Sequence, residues 1–243
     1  MVNIMEYAKI PNDDEVQEIL GPVKSKFEKI NFSHTKASFT NIDLKDWIKE
    51  FNNRVNDFQV NYVFVMTYYN EGIPDDNWNS KTDINKEQIR FFPEFADKDF
   101  ATNYWFGFYV DSLFARYLGL VDAIYHILNC YYKFNIHDGM GYNLKVIERI
   151  KSKNKKLSDY LESIIKDRRF KRTNANRQSQ IHNFRKNQIH CTISRTKKNG
   201  AIRKNIKLER YKTSSEFVKD INDSIELLSE IVCNVKKEIG NIH

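Results

Sequence analysis

The sequence has few of the residues that end helices and few that could cross-link the chain. Eight glycines and four prolines among 243 residues favour long helices over an all-β or loop-rich fold. The three cysteines, Cys130, Cys191 and Cys233, are an odd number without a CxxC spacing. They therefore indicate reduced thiols in a cytoplasmic protein and argue against a disulfide framework or a zinc site.

Long apolar runs and a signal peptide are also missing. No apolar run approaches the roughly 20 residues that a transmembrane helix needs. The first 20 residues turn acidic where a signal peptide would have a basic flank and an apolar stretch. The sequence thus predicts a cytoplasmic protein that does not bind a membrane.

The sequence does have enough apolar residues for a core, and its charge is uneven. Hydrophobic residues make up 41% of the chain and aromatic residues 14%. The net charge is +7, but residues 145–212 hold 22 Lys and Arg against five Asp and Glu, which leaves −10 for the remainder. Such a block suits a polyanion bound through its phosphates, such as RNA. A solvated surface with charge pairing inside the molecule is the alternative.

Hydrophobic periodicity predicts a mixed α/β N-terminal extension over residues 1–98, packed on the rest of the chain. Apolar residues at helical spacing indicate a helix over 14–30, which Pro22 could interrupt, and another over 44–58. The segment 58–69 is β-branched and aromatic, which is typical of a strand or another buried extended segment.

Residues 99–243 are predicted to form a helical domain. Residues 99–134 contain no proline and repeat apolar side chains at helical spacing, so they predict a helix about 50 Å long at ~1.5 Å per residue. A basic amphipathic helix is expected over about 143–167.

The end of the chain carries three further local signals. A helix is expected over about 174–190, with Asn174 or Asn176 as its N-cap. Asn199-Gly200 lies between two alternating segments and predicts a β-hairpin with a type I′ turn. Thr213 to Glu216, TSSE, is a capping box that opens a last helix. The predicted fold is mainly α: a helical bundle with a small β-hairpin and the mixed α/β extension.

Two arginine-histidine pairs with a spacing of five fall in the basic block: Arg177 leads to His182, and Arg185 leads to His190. Metal-free RNA cleavage needs a base for the ribose 2′-OH and a positive charge for the crowded phosphate, which histidine and arginine supply. Residues five apart lie about 140° apart around an ideal helix. They converge only if the helix ends near His190, or if a symmetric dimer brings two copies together. An exposed basic helix face is the alternative.

The stretch FRKNQIH, residues 184–190, follows a long aromatic helix and precedes a final amphipathic helix, and in this context it resembles the HEPN superfamily. HEPN domains are small helical bundles, often dimeric, and many are metal-independent endoribonucleases with an R-x(4–6)-H motif. Arg185 to His190 fits R-x4-H. The resemblance covers about residues 99–240 and looks closest to a bacterial branch with an N-terminal extension. It implies that His190 is the general base or acid, that Arg185 stabilises the phosphate, and that no metal or other cofactor is needed.

The resemblance also implies supporting residues. The family commonly has a polar residue, often asparagine, directly after the arginine. Here Lys186 holds that position and Asn187 follows, which departs from the pattern but leaves Lys186 able to contact phosphate. Arg177 and His182 form a second match, ranked below the first because the family motif sits at the end of its helix. His182 could join the same pocket or face solvent.

The hairpin carries many cations that are candidates for binding the RNA backbone. On edge strands such charges can instead serve solubility. The cations are Arg195, Lys197, Lys198, Arg203, Lys204, Lys207 and Arg210.

Together these features predict a cytoplasmic, homodimeric endoribonuclease that leaves 2′,3′-cyclic phosphate and 5′-hydroxyl ends. A toxin or phage-defence role is expected, with a cognate antitoxin or a nucleotidyltransferase as candidate partners. One alternative is a catalytically inactive HEPN-like module that binds RNA or a protein. Another is a structural or partner-regulated helical protein without RNA affinity. Convergence of Arg185 and His190 would favour the enzyme.

Polar residues also occur on the long aromatic helix. Asp111, Arg116 and Asp122 interrupt its apolar pattern, and they either pair within the bundle or orient the motif side chains. His126 lies beside the apolar stripe and is predicted to be packed and hydrogen-bonded.

Overall fold

The computed structural model describes residues 2–31, 42–81, 89–182, 184–198 and 201–239. Within these ranges the chain forms seven α-helices, two short 3-10 helices and two antiparallel strand pairs. The helices are α1 (Asp13–Leu20), α2 (Ile42–Asn70), α3 (Asp97–Tyr131), α4 (Tyr142–Lys151), α5 (Lys155–Lys166), α6 (Arg168–His182) and α7 (Ser214–Ile239). The strands are β1 (Asn79–Lys81), β2 (Ile89–Phe91), β3 (Cys191–Lys198) and β4 (Ala201–Leu208), and the 3-10 helices are Ile4–Tyr7 and Lys24–Lys26. The predicted mainly α fold is confirmed.

One hydrophobic core joins the long helices. α2 and α3 pack along each other, and α3 also contacts α4, α6 and α7. Burying each large apolar side chain stabilises the fold by roughly 1.5–3 kcal/mol. Fully buried examples are Phe51 and Phe58 of α2, Leu113 and Leu120 of α3, and Ile221 of α7.

The strand predicted over residues 58–69 is wrong, because this segment continues α2. Val55, Phe58 and Tyr62 lie three or four residues apart and are all buried, as are Val65 and Tyr68 further on. A helix buries this whole stripe against α3, and that gain outweighs the local β propensity of the residues.

Two of the predicted helices have different bounds. The predicted helix over 143–167 is two helices, α4 and α5, since the Asn154 side chain accepts a hydrogen bond from the Leu157 amide at 3.0 Å and starts a new helix. The predicted helix over 174–190 is α6, which begins earlier and ends at His182. Its N-cap is neither Asn174 nor Asn176, because the Asp167 carboxylate accepts a hydrogen bond from the Arg169 amide at 2.7 Å.

The long aromatic helix, the hairpin and the capping box of the last helix are confirmed. β3 pairs with β4 from Cys191 opposite Leu208 to Lys198 opposite Ala201, and the Asn199-Gly200 turn between them lies outside the described residues. The Glu216 amide donates to Thr213 Oγ1 at 3.3 Å, and the Thr213 amide donates to Glu216 Oε2 at 3.2 Å. These two bonds satisfy amide groups that a helix start otherwise leaves free.

The segment between α2 and β1 is fastened to the start of α7 by one buried carboxylate. Asp75 accepts hydrogen bonds from the Tyr211 hydroxyl at 2.9 Å and from the amide and hydroxyl of Ser214 at 2.8 Å each. A carboxylate at a helix N-terminus also interacts favourably with the helix dipole. This contact holds the chain from β4 to α7 in place, and that part of the chain borders the site described next.

Candidate active site

The residues of the R-x4-H motif lie in a turn between α6 and β3, not in a helix. The Gln188 amide donates to the Arg185 carbonyl at 3.2 Å, which closes the turn. The Lys186 carbonyl accepts from the Lys212 amide at 2.8 Å, and the His190 carbonyl accepts from the Glu209 amide at 3.1 Å. The motif turn is thus fixed to the segment that joins β4 to α7.

His190 is held by a backbone carbonyl and an aromatic ring. Its Nδ1 lies 3.2 Å from the Gln188 carbonyl oxygen, and its ring stacks on Phe184 with 4.8 Å between centroids. A carbonyl oxygen only accepts hydrogen bonds, so this contact requires the proton on Nδ1. In the neutral imidazole, Nε2 then has a free lone pair and can accept a proton.

His190 lines an open cavity of about 660 Å³ in which cationic side chains outnumber acidic ones. The cavity lies between the end of α6, the motif turn, the base of the hairpin and the start of α7. A cavity of this size and charge can hold a phosphate group with part of its nucleotide. Its lining residues are Arg172, Ser179, Phe184, Lys186, His190, Thr192, Glu209, Arg210, Lys212, Glu216, Lys219 and Asp220.

A buried polar network forms one side of this cavity. Asp220 is 8% exposed and accepts hydrogen bonds from Lys212 Nζ and from Asn176 Nδ2, the latter at 3.1 Å. Burial alone would raise the pKa of Asp220, but the hydrogen bonds and positive charges of Lys212 and its neighbours lower it below the usual value. Asn176 Oδ1 in turn accepts from Lys212 Nζ at 3.3 Å and from Lys186 Nζ at 3.0 Å. The lowered pKa keeps the Asp220 carboxylate ionised; it pairs with Lys212 directly and is linked to Lys186 through Asn176.

Lys186 differs from the other cations of the cavity. Arg172, Lys212 and Lys219 each pair with Asp220 or Asp223, and Arg210 pairs with Glu216. Lys186 is half-buried, and within the described residues it has no carboxylate within 4.0 Å of Nζ. Burial lowers its pKa. A desolvated ammonium group without a direct counterion favours the binding of an anion.

Arg185 points to α3. Its Nε lies 2.9 Å from Asp111 Oδ2, and it is not among the residues that line the cavity. Burial raises the pKa of Asp111 to about 6, although the charge of Arg185 acts in the opposite direction. Among the described residues, no hydrogen bond or ring contact joins Arg185 to His190. In a single chain the structure thus places the two motif residues in different surroundings.

The next motif residue also contacts α3. A Cβ atom at Gly107 would lie 2.1 Å from Asn187 Nδ2, so the side chain of Asn187 occupies the space that the glycine leaves free. Arg185 and Asn187 together anchor the motif turn on α3, while Lys186 between them faces the cavity.

The second arginine-histidine pair lies on α6. Arg177 is partly buried and absent from the cavity lining, and its charge favours ionisation of Asp122, whose pKa is raised by burial. The side chain of His182 lies outside the described part of the chain. His126 is packed as predicted, because its ring stacks on Trp47 with 3.8 Å between centroids. Its Nε2 lies 3.6 Å from Asp138, an ion-pair distance that is too long for the predicted hydrogen bond.

The predicted cations of the hairpin are exposed on its two strands, and Arg210 lines the cavity. The exposed residues are Arg195, Lys197, Arg203, Lys204 and Lys207, and the side chain of Lys198 is not described.

Sequence reasoning missed Asn176, Lys212 and Asp220, and did not choose a role for Asp111. A signal exists for Asp220, because it interrupts the buried stripe of α7 beside Phe217, Ile221 and Ser224. A charged residue at such a position is rarely buried unless it is paired.

The described residues lack two further kinds of feature. They contain no group of three or more His, Cys, Asp or Glu side chains placed to bind a metal ion. None of their helices is long and apolar enough to cross a lipid bilayer.

Comparison with known proteins yields one family. The family model described as HEPN_Cthe2314-like HEPN matches residues 47–240. No curated protein and no solved structure matches the chain significantly. The matched region begins inside α2, contains the whole motif turn and extends beyond the end of α7. Since it makes up most of the chain, this protein belongs to the HEPN family.

Proposed function

We propose that this protein is a metal-independent endoribonuclease whose reaction takes place in the cavity beside His190. One observation carries the proposal: His190 Nδ1 is hydrogen-bonded to the Gln188 carbonyl oxygen, and His190 lines a cavity rich in Lys and Arg. A histidine with a ring nitrogen free to accept a proton, next to cations that bind phosphate, supplies what RNA transesterification needs. Membership of the HEPN family supports a role connected with RNA.

In the proposed reaction, His190 Nε2 accepts the proton of a ribose 2′-OH. The 2′-oxygen attacks the adjacent phosphorus, the bond between phosphorus and the 5′-oxygen breaks, and the leaving oxygen takes a proton from water in the open cavity. The products are a 2′,3′-cyclic phosphate and a 5′-hydroxyl. Lys186 is the group that stabilises the extra negative charge of the phosphorane, because its ammonium is desolvated and has no direct counterion.

Arg185 has a different task in this proposal. Its ion pair with Asp111 fixes the motif turn on α3, so that Lys186 and His190 face the cavity. A direct contact of Arg185 with phosphate would require it to leave Asp111, or to reach the cavity of a second copy in a homodimer. We propose a homodimeric, cytoplasmic protein and a toxin or phage-defence setting, with an antitoxin or nucleotidyltransferase as the partner.

The test is cleavage of end-labelled RNA in EDTA by the wild type and by His190→Ala, Lys186→Ala and Arg185→Ala. His137→Ala and Arg168→Ala are matched controls, since both side chains are exposed and distant in sequence from the motif. General-base catalysis contributes typically 10²–10⁴-fold, so we expect His190→Ala to lose at least about 100-fold. Cleavage that survives His190→Ala and Lys186→Ala unchanged would contradict the proposal.

A second function is favoured by the ion pair of Arg185. If both motif residues must contact the phosphate, an arginine held on Asp111 indicates an inactive HEPN domain that binds RNA without cutting it. This alternative predicts salt-dependent binding of RNA by the wild type and no cleavage under any metal condition. A protein with neither RNA binding nor cleavage would be a structural or partner-regulated member of the family.

A further inference from the structure

The hairpin is a strongly basic element that the rest of the fold leaves exposed. Every described side chain from Cys191 to Lys197 and from Ile202 to Lys207 is exposed. The two strands carry six Lys and Arg and no Asp or Glu. An isolated two-stranded hairpin gains little from its own packing. Of the described cations on the two strands, only Lys207 has an ion-pair partner, Glu209. So many exposed cations on such an element point to a binding role.

The strand register divides these side chains into two faces. Directly paired residues of an antiparallel ladder project to the same side, and successive residues alternate. One face, named the hydroxyl face here, has three pairs: Thr192 with Lys207, Ser194 with Asn205, and Thr196 with Arg203.

The opposite face, named the isoleucine face, has a different composition. Ile193 pairs with Ile206, Arg195 with Lys204, and Lys197 with Ile202. The exposed fractions of Ile193, Ile202 and Ile206 are 60%, 66% and 71%. All three isoleucines of the hairpin are on this face, so the hydroxyl face has only polar and cationic side chains at its described positions.

The hydroxyl face continues into the cavity of His190. Thr192 and Glu209 both line the cavity. Thr192 Oγ1 donates to Glu209 Oε1 at 2.6 Å, and Lys207 Nζ lies 3.2 Å from Glu209 Oε2. The first pair of the hydroxyl face therefore lies at the mouth of the cavity. From Thr192 to Thr196 the face extends for about 13 Å at ~3.3 Å per residue.

We propose that the hydroxyl face is a binding track for single-stranded RNA that leads the strand into the cavity of His190. Lys207 and Arg203 lie about 13 Å apart along β4 at ~3.3 Å per residue, so they bind two phosphates that are not adjacent in the strand. The hydroxyl and amide groups between them bind the intervening phosphate oxygens or ribose 2′-OH groups. The track is one row of side-chain pairs wide, which suits one strand and not a duplex. A cavity that must reorient a 2′-oxygen for attack also requires an unpaired nucleotide. This inference rests on the proposed function, since it names the form of RNA that enters the same site.

The experiment measures binding separately from cleavage. The full chain carrying His190→Ala is titrated into fluorescent RNA oligonucleotides of increasing length. Fluorescence anisotropy then gives the binding constant at several salt concentrations. Two double variants on that background are compared: Arg203→Gln with Lys207→Gln on the hydroxyl face, and Arg195→Gln with Lys204→Gln on the isoleucine face. Both remove two positive charges from exposed positions of the hairpin, so the second reports the effect of net charge alone. Thermal unfolding checks that each variant is folded.

We expect the hydroxyl-face variant to bind about tenfold more weakly and to lower the slope of log K against log salt by about 1.4, since each phosphate contact contributes ~0.7 for single strands. The isoleucine-face variant should lose much less. Affinity should stop rising with oligonucleotide length at roughly four to six nucleotides, the lower end of the usual site sizes. Duplex RNA of the same length should bind more weakly.

Three results would overturn the track. These are equal losses in both variants, a larger loss on the isoleucine face, or tighter binding of the duplex. Each leaves the proposed function intact if the chain with His190 restored still cleaves RNA. Conversely, a loss specific to the hydroxyl face in a protein that never cleaves RNA would keep the track and reject the nuclease. Specific loss together with cleavage supports both.

Discussion

Replacing Asp111 by asparagine removes a carboxyl group whose ionisation is opposed by its surroundings in the folded chain. The Asp111 side chain is 20% exposed and forms an ion pair with Arg185. Burial raises the pKa of Asp111 to about 6, in spite of the opposing charge of Arg185. An aspartate in an unfolded chain has a pKa of ~3.9. The folded state therefore binds this proton more tightly than the unfolded state does.

The sign of the effect on stability follows from this difference. Between about pH 4 and pH 6 the folded chain keeps a proton that the unfolded chain has released, so the contribution of Asp111 to the free energy of unfolding falls as the pH rises. A difference of about two pKa units corresponds to at most ~3 kcal/mol. Because about half of the unfolded carboxyl groups are already ionised at pH 4, about 2 kcal/mol of this change falls between pH 4 and pH 7. We therefore expect the free energy of unfolding of Asp111→Asn, minus that of the wild type, to rise by about 2 kcal/mol from pH 4 to pH 7.

The assay is urea unfolding of both proteins, followed by circular dichroism across this pH interval, with the two free energies subtracted at each pH. The subtraction removes groups common to both proteins. One such group is Glu71, whose pKa is lowered to about 2 by hydrogen bonds from Lys9 and Lys98 and whose stabilising effect is lost only at acidic pH. Asp57→Asn is a matched control, because Asp57 also pairs with an arginine but its side chain is 63% exposed.

A difference between Asp111→Asn and the wild type that stays constant within about 0.5 kcal/mol from pH 4 to pH 7 would refute this reasoning, since linkage demands a pH-dependent term. In that case burial would not raise the pKa of Asp111 in the folded chain. Either Arg185 would stabilise the carboxylate enough to cancel the effect of burial, or the side chain would lie in solvent; only the second outcome would release Arg185 from α3 and favour its direct contact with phosphate.

Three further substitutions test the surroundings of the site. Asp220→Ala leaves the Lys212 ammonium buried without its carboxylate, so we expect a loss of roughly 3–5 kcal/mol in the free energy of unfolding; a loss below about 1 kcal/mol in a urea titration would mean that the pair is not buried. Gly107→Ala brings a Cβ atom to 2.1 Å from Asn187 Nδ2 and displaces that side chain. RNA cleavage should fall because Asn187 no longer anchors the motif turn. The Tm should change little, because alanine is favoured over glycine in a helix by ~0.5–1 kcal/mol, which offsets the cost of moving Asn187. Unchanged cleavage would show that the position of Asn187 does not matter. Thr213→Ala removes the capping hydrogen bond of α7 and should cost about 1 kcal/mol in thermal unfolding, whereas Ser229→Ala within the same helix should not.

The features that could be predicted from the sequence depend on residues close together in the chain. The capping box needs only Thr213 and Glu216, and the hairpin needs a turn signal between two alternating segments. The apolar repeat of α3 likewise repeats every three or four residues. In each of these elements the local preference and the tertiary packing agree, so the local pattern was sufficient.

The features that could not be predicted depend on contacts between distant segments. The β-branched residues of 58–69 favour a strand locally, but α3 offers a long apolar surface on which a helix buries more of them. Asn176 is an ordinary N-cap residue by type, yet within α6 its side chain is buried. It forms hydrogen bonds with Lys186, Lys212 and Asp220. No local pattern shows that α7 places Asp220 next to Asn176 and Lys212.

The motif itself shows why a spacing in sequence does not determine an active site. R-x4-H fixes how many residues separate Arg185 from His190, but after α6 ends at His182 the direction of each side chain depends on the turn that follows. In that turn Arg185 and Asn187 contact α3, whereas Lys186 and His190 face the cavity. The departure from the family pattern, a lysine where asparagine is common, thus falls at the position that faces the cavity. A cation is needed there if the arginine serves as the anchor. The proposed function accounts for both observations, since it assigns the charge for the phosphate to Lys186 and the anchoring of the turn to Arg185.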